Sequence, residues 1–142
     1  MPLEPGDKAP DFTLLDQHGE PFSLSDSLEH KKVWHLIYFY PKADTPGCTT
    51  QACGLRDALA DIGDTVVVVG ISPDSPARQA SFDQKHSLGF PLLSDPDHAV
   101  AQAYGTWGER SMYGRTYMGI IRSAFLVDAG GRLREAWYKI SP

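Results

Sequence analysis

Long apolar runs are missing from this 142-residue chain. The two longest, around Val33 to Tyr40 and Val66 to Ile71, fall far short of a bilayer span. The opening MPLEPGDKAP has neither a charged n-region nor an apolar h-region, so no export signal is read there and a soluble, cytoplasmic protein is expected. Basic charge is sparse as well. The 13 Lys and Arg residues are scattered against 18 Asp and Glu, for a formal net charge of −5, which leaves a nucleic-acid backbone no basic track to follow. Cysteine is scarcer still, with two residues. Two thiols in an unexported chain are more often reactive or simply buried than a structural framework. A structural zinc centre would need four ligands in paired short spacings, and His18, His30, His35, His86 and His98 form no matching pair. Internal repeats, low-complexity segments and linkers are also lacking. With 42% of its residues apolar, the chain reads as one domain over residues 1–142, able to bury a sizeable core.

What is present falls into two patterns. DFTLLDQHGEPFSL alternates apolar and polar residues on both sides of Gln17-His18-Gly19-Glu20, which predicts a short N-terminal β-hairpin. VWHLIYFY (33–40) and VVVVGI (66–71) are instead nearly continuous apolar runs, as in strands covered on both faces, and a helical stretch between them completes a βαβ unit. Further on, 76–87 is polar and helical with Pro76 at its first position, and Phe90 to Leu93 forms a short strand. Asp95-Pro96-Asp97 opens a helix reaching about Tyr104, its acidic residues suited to the positive end of the dipole. A glycine-punctuated loop over 105–119 follows. The segments 120–127 and 133–138 around Asp128-Ala129-Gly130-Gly131 read as a closing hairpin. The fold class predicted is α/β, a mixed central sheet flanked by helices, arranged as in a thioredoxin-like domain.

Both cysteines lie in YPKADTPGCTTQACGLRD (40–57). A helix beginning near Thr45 would be capped by the Thr45 side chain, would take Pro46 at its tolerated first position, and would place Cys48 in its first turn, in the positive field of the helix end. The nucleophile is a thiolate. A helix N-terminus contributes up to about 2 kcal/mol toward holding a negative charge, and one charged hydrogen bond about 1.5 to 3 kcal/mol. The dipole alone is therefore marginal, and a guanidinium would settle the matter. Arg56 sits two turns along the same helix, too far to reach back. Arg122 lies in the apolar segment GIIRSAFLV, where a positive charge is costly unless it meets an anion or water. It is the expected partner, although a surface carboxylate on an edge strand would serve it equally well.

The spacing of the two thiols carries its own argument. Five residues on an unbroken helix turn through about 140° and rise about 7.5 Å, so the Cα atoms stand roughly 8.7 Å apart. A disulfide tolerates at most about 6.8 Å. Cys48 and Cys53 therefore bond only if part of the helix unwinds, and Gly54 weakens it there by roughly 1 kcal/mol relative to Ala. Gly54 equally suits a close-packing contact. The C-x-x-C spacing of thioredoxin-type redox motifs is absent, and two ordinary buried thiols remain an alternative.

Pro41, Thr45 and Cys48 match the P-x-x-x-T-x-x-C motif of peroxiredoxins, and CTTQAC resembles the subgroup called bacterioferritin comigratory protein or peroxiredoxin Q. GDKAPDFTLLDQHGE, VWHLIYFYPK, ISPDSP, FPLLSDPDH, YGTWGERSMYGRTYMGIIRSAFLVD and GRLREAW extend the resemblance over nearly the whole chain. The resemblance implies thiol-dependent reduction of hydrogen peroxide and organic hydroperoxides with no metal or organic cofactor. It makes Cys48 the peroxidatic nucleophile, Thr45 a hydrogen-bonding partner of the peroxide together with Gly47 at the helix start, Arg122 the stabiliser of thiolate and developing charge, and Pro41 a shield from water. Cys53 is then the resolving cysteine of an intrachain disulfide. Recycling by thioredoxin (or glutaredoxin) and a monomeric state are implied too. The chain departs from the subgroup where relatives continue into a C-terminal amphipathic helix: here it stops at Pro142. A missing helix is expected to leave part of the sheet uncovered, with consequences for stability and oligomeric state.

Among the aromatic residues, Phe39 and Trp137 are expected in the core, Tyr40 beside the pocket, and Trp107 to Tyr113 on a rim for hydrophobic substrates or a partner. His35 reads as a core histidine with its hydrogen bonds satisfied. Two rivals remain: a disulfide oxidoreductase acting on proteins, which would want C-x-x-C, and a thioredoxin-like binding or chaperone module whose thiols are incidental.

Overall fold

The computed structural model describes residues 2–140, with the backbone alone at positions 64 and 112. The N-terminal hairpin forms as expected, β1 (Thr13–Leu15) pairing antiparallel with β2 (Pro21–Ser23). Helix α1 (Leu24–Lys31) follows, capped by the Ser23 side chain on the Asp26 amide. The two apolar runs become β3 (Trp34–Phe39) and β4 (Val66–Ser72), parallel neighbours joined through α2 (Pro46–Ile62) and a short 3-10 turn over Gly63–Thr65. Helix α3 (Pro76–His86) has Pro76 in its first turn and the Ser75 hydroxyl accepting from the Arg78 amide. It leads into β5 (Leu92–Ser94), parallel to β4, and then α4 (Ala99–Ala103).

Strand β8 (Ser123–Val127) runs antiparallel to β3, and β9 (Leu133–Trp137) antiparallel to β8. The seven-stranded sheet thus has the order β2-β1-β5-β4-β3-β8-β9. Period-two alternation divides its central strands between two cores. Ile37 and Phe39 of β3, with Val69 and Ile71 of β4, face Leu24, Val100 and Tyr104. Tyr38 and Tyr40, with Val68, face Cys48, Ala52 and Phe82 of α2 and α3. Helices therefore cover both faces, which is why β3 and β4 show no polar alternation in sequence.

Four expectations are corrected. Residues 105–119 are not a loop: β6 (Trp107–Met112) and β7 (Arg115–Ile120) form a separate two-stranded ribbon. Its turn is Tyr113-Gly114, with φ of 52° and 78°, both positive as a two-residue primed turn requires. Tyrosine is a poor advertisement for that conformation. The segment 120–127 is not one strand either, since the chain breaks at Ile121-Arg122 between β7 and β8. Trp137 does not enter the core but stays 42% exposed on the edge strand β9. Finally, Asp95 does not lie inside a helical turn. Its buried carboxylate stands ahead of α4 and accepts from the Val100 and Ala101 amides, so that helix starts four residues later than the acidic cluster suggested.

His35 is fully buried, donating from Nδ1 to the Val33 carbonyl at 3.0 Å and accepting at Nε2 from the Ser27 hydroxyl at 2.7 Å. Burial, only partly opposed by the Val33 bond, holds its pKa below the ordinary 6.5. As pH falls through about 6.5, the unfolded chain therefore binds a proton that the folded chain refuses, and stability declines until the lower folded value is reached. The melting temperature is expected to fall between about pH 7 and pH 5. In His35→Gln that slope should be flatter, as thermal melts across this range will read.

Candidate active site

Strand β3 ends at Phe39, whose backbone partner on β8 is Ser123. This register places Arg122, in the break before β8, beside the loop 40–45 that carries the chain from β3 into α2. Thr45 is the N-cap residue of α2, extended at φ −95° and ψ 158°, with Pro46 and Gly47 next and Cys48 in the first turn. The first-turn amides of a helix lack intrahelical acceptors, so those of Gly47 and Cys48 offer a positive end. Thr45 does not cap through its side chain as expected. Its hydroxyl donates instead to the Lys42 carbonyl at 2.9 Å, while its own carbonyl accepts from the Thr49 amide at 2.8 Å.

Arg122 does reach the thiol. Its Nη2 lies 3.1 Å from Cys48 Sγ, and its Nη1 donates to Gln51 Oε1 at 2.6 Å. A donor of this kind binds most strongly to a sulfur that carries charge. Cys48 is 1% exposed, Arg122 is half-buried, and no salt bridge to a carboxylate competes for the guanidinium among the described residues. Gln51 was not anticipated. Its signal was its place three residues beyond Cys48, on the same face of the helix. Arg56 stays away from the thiol, as expected, donating to the His86 carbonyl at 2.6 Å.

Both thiols are free, and α2 is continuous through Cys48 and half-buried Cys53. A Cβ built on Gly54 would meet nothing within 4 Å, so the close-packing reading of that glycine fails. Pro41, within the loop 40–45, is half-buried. Tyr40 corrects an expectation: it offers a substrate no surface, being wholly buried, stacked on Tyr38, with its hydroxyl donated to Gln79 Oε1. Burial pushes its phenol well above the ordinary tyrosine range, so it remains a neutral donor.

Gln79, also missed in the sequence, links this tyrosine to the rest of the site. Its Nε2 donates to the Ser72 hydroxyl at 2.8 Å and the Leu93 carbonyl at 2.9 Å. Ser72 donates on to Asp74 Oδ2, which also accepts from the Ala43 amide, both at 2.7 Å. The network therefore fixes the loop 40–45 from behind. On its outer side Asp44, left-handed at φ 59°, is held by Lys85 and His86, each at 3.0 Å. Trp107 stacks on His98 with ring centroids 3.8 Å apart, while Tyr113 is 98% exposed at the ribbon's tip. No helix of the described residues is long and apolar enough to cross a membrane.

The AhpC/TSA family model matches residues 5–136. Peroxiredoxin Bcp of Escherichia coli is 50% identical over 137 residues, covering 96% of this chain and 86% of the relative. A variant of Xylella fastidiosa PrxQ shares the fold with a TM-score of 0.88 and 31% identity, covering 99% of this chain and 88% of that one. Xanthomonas campestris bacterioferritin comigratory protein, described for its alkyl peroxide reduction activity, is similar at a TM-score of 0.82 and 35% identity, covering 91% and 81%. With the match running through both cysteines and Arg122, the chain belongs to the AhpC/TSA family, in its Bcp/peroxiredoxin Q branch of peroxiredoxins.

Proposed function

We propose that this protein is a thiol peroxidase that reduces hydrogen peroxide and organic hydroperoxides at Cys48 and resolves the product through Cys53. The observation that carries the reading is the 3.1 Å contact between Arg122 Nη2 and Cys48 Sγ at the start of α2. The Cys48 thiolate attacks one peroxide oxygen, the O–O bond breaks, and the leaving oxygen takes up a proton to depart as water or alcohol. Negative charge grows on that oxygen, where the guanidinium and the amides of Gly47 and Cys48 serve as fixed donors. Thr45, its hydrogen held by Lys42, accepts from the peroxide O–H through its oxygen. Pro41 screens the sulfur from water.

The sulfenic acid on Cys48 then condenses with the Cys53 thiol: an S–S bond forms, the S–O bond breaks, and water leaves. Helix geometry keeps the two sulfurs from bonding while α2 is wound, so unwinding is part of turnover. The half-buried position of Cys53 supports its access to a dithiol reductant. Thioredoxin fits that role, with glutaredoxin as the alternative, in a monomer working in the cytoplasm.

A hydroperoxide assay coupled to thioredoxin tests the reading. Wild-type protein should turn over hydrogen peroxide and an alkyl hydroperoxide, with Cys48→Ser inert; equal turnover in the two would overturn the proposal. A second expectation concerns Gly54. Alanine there meets open space and should stabilise the reduced helix by about 0.5 to 1 kcal/mol. The denaturation midpoint of Gly54→Ala is then raised, and disulfide formation slows by about two- to fivefold in quenched-flow thiol counting.

A further inference from the structure

Among the described residues, the buried tyrosines have their hydroxyls occupied, with one exception. Tyr40 donates to Gln79 and Tyr104 to the Pro10 carbonyl. Half-buried Tyr138 donates to the Tyr104 carbonyl while accepting from the Leu3 amide. Tyr38 is 1% exposed, and its hydroxyl finds no partner among the described residues. A lone buried hydroxyl forfeits the hydrogen bonds it makes to water in any opened state.

Its position is specific. Tyr38 faces α2 from β3, in the core cluster that holds Cys48 and Ala52 and against which Cys53 packs. Its ring lies over Gly70 of β4, where a Cβ would come within 2.9 Å of its Cζ and hydroxyl oxygen. Glycine at 70 is what leaves room for the phenol. Burial raises its ionisation well above the ordinary range, and both cysteine sulfurs and Arg122 lie near enough to bear on it. The hydroxyl is thus neutral and without a partner among the described residues, in the core cluster that also holds Cys48 and Ala52 of the helix whose first turns must open for Cys53 to reach Cys48.

We propose that the Tyr38 hydroxyl is a positioning group for the resolving step: unpartnered in the core cluster it shares with Cys48 while α2 is wound, it gains partners when the segment 48–53 opens, and so biases α2 toward the state in which the disulfide forms. The partners are water or the carbonyls that the unwound turn releases. The group does not touch peroxide, and it acts on the second chemical step alone. This inference rests on the resolving role of Cys53 given above.

Tyr38→Phe removes the hydroxyl and keeps the ring. Its first step, sulfenic acid formation followed by stopped-flow fluorescence, is expected to change by less than about twofold. Its second step, disulfide formation, should slow by roughly tenfold, the factor that matches loss of one such penalty. Excess peroxide should then drive more Cys48 to the sulfinic acid before resolution. Amide hydrogen exchange of residues 49–54 in the reduced protein should slow in parallel. Disulfide formation as fast as wild type, or slowing of both steps together, overturns the proposal. If the wild-type protein forms no Cys48–Cys53 disulfide, the resolving role of Cys53 fails instead. Exchange still decides for Tyr38: slower opening of 49–54 in Tyr38→Phe supports it, and unchanged opening overturns it.

Discussion

Arg122→Met is expected to slow the reaction of Cys48 with hydrogen peroxide by about 10²- to 10³-fold, the loss typical of removing one preorganised donor from developing oxyanion charge. In the proposed mechanism the guanidinium acts before and during the reaction, because its Nη2 contacts Sγ, the atom that would attack the peroxide. Methionine preserves much of the side-chain volume, so the effect is electrostatic and not a cavity. Arg122→Lys keeps the charge but not the two-pronged geometry that grips Cys48 and Gln51 at once. It should fall between, at about a tenfold loss. Stopped-flow measurement of the first step, with denaturation curves to show that both variants remain folded, separates these outcomes. A rate for Arg122→Met within a factor of about three of wild type would remove the guanidinium from the mechanism.

The second large effect lies behind the site. Gln79→Leu should cost about 3 kcal/mol of stability, because the Tyr40 hydroxyl and the Leu93 carbonyl both lose their partner in a fully buried setting. Ser72 is spared through its bond to Asp74. Because the same network anchors the Ala43 amide, peroxide reactivity should drop along with stability. A double-mutant cycle checks the cause. Adding Tyr40→Phe to Gln79→Leu removes the orphaned hydroxyl and should restore part of the loss, since deleting both partners of a buried hydrogen bond is cheaper than deleting one. Strict additivity of the two changes in urea melts would mean that the bond contributes nothing.

How much of this was legible in the sequence follows from the physics of each element. Strands β3 and β4 and helix α2 were plain because burial on both faces and a Thr-Pro-Gly helix start leave strong local marks. The β6-β7 ribbon was not. Its strands are polar and lie outside the main sheet, and its turn uses Tyr113 at positive φ. Trp137 was misplaced because an apolar residue near the end of an alternating strand gives no sign of which face stays uncovered.

In the site itself, Arg122 was visible as a charge stranded among apolar residues, 74 positions from the thiol it meets. Gln51 carried only the mark of its spacing from Cys48, and Gln79 was hidden. A glutamine on a polar helix looks like a solvated residue, and nothing local reveals that Gln79 turns inward to join Tyr40, Ser72 and Leu93. The Thr45 side chain was misassigned for a related reason: a cap position offers its hydroxyl several acceptors and donors, and the Lys42 carbonyl three residues back wins it here.

The most direct test of the account is mass analysis of Cys53→Ser after one equivalent of hydrogen peroxide, with a sulfenic-acid trap present. One oxygen, trapped on Cys48 within seconds, is the predicted result, alongside a Cys48–Cys53 linked peptide in the wild-type protein. An adduct on another residue, or a Cys48 that survives the treatment as a free thiol, would contradict it.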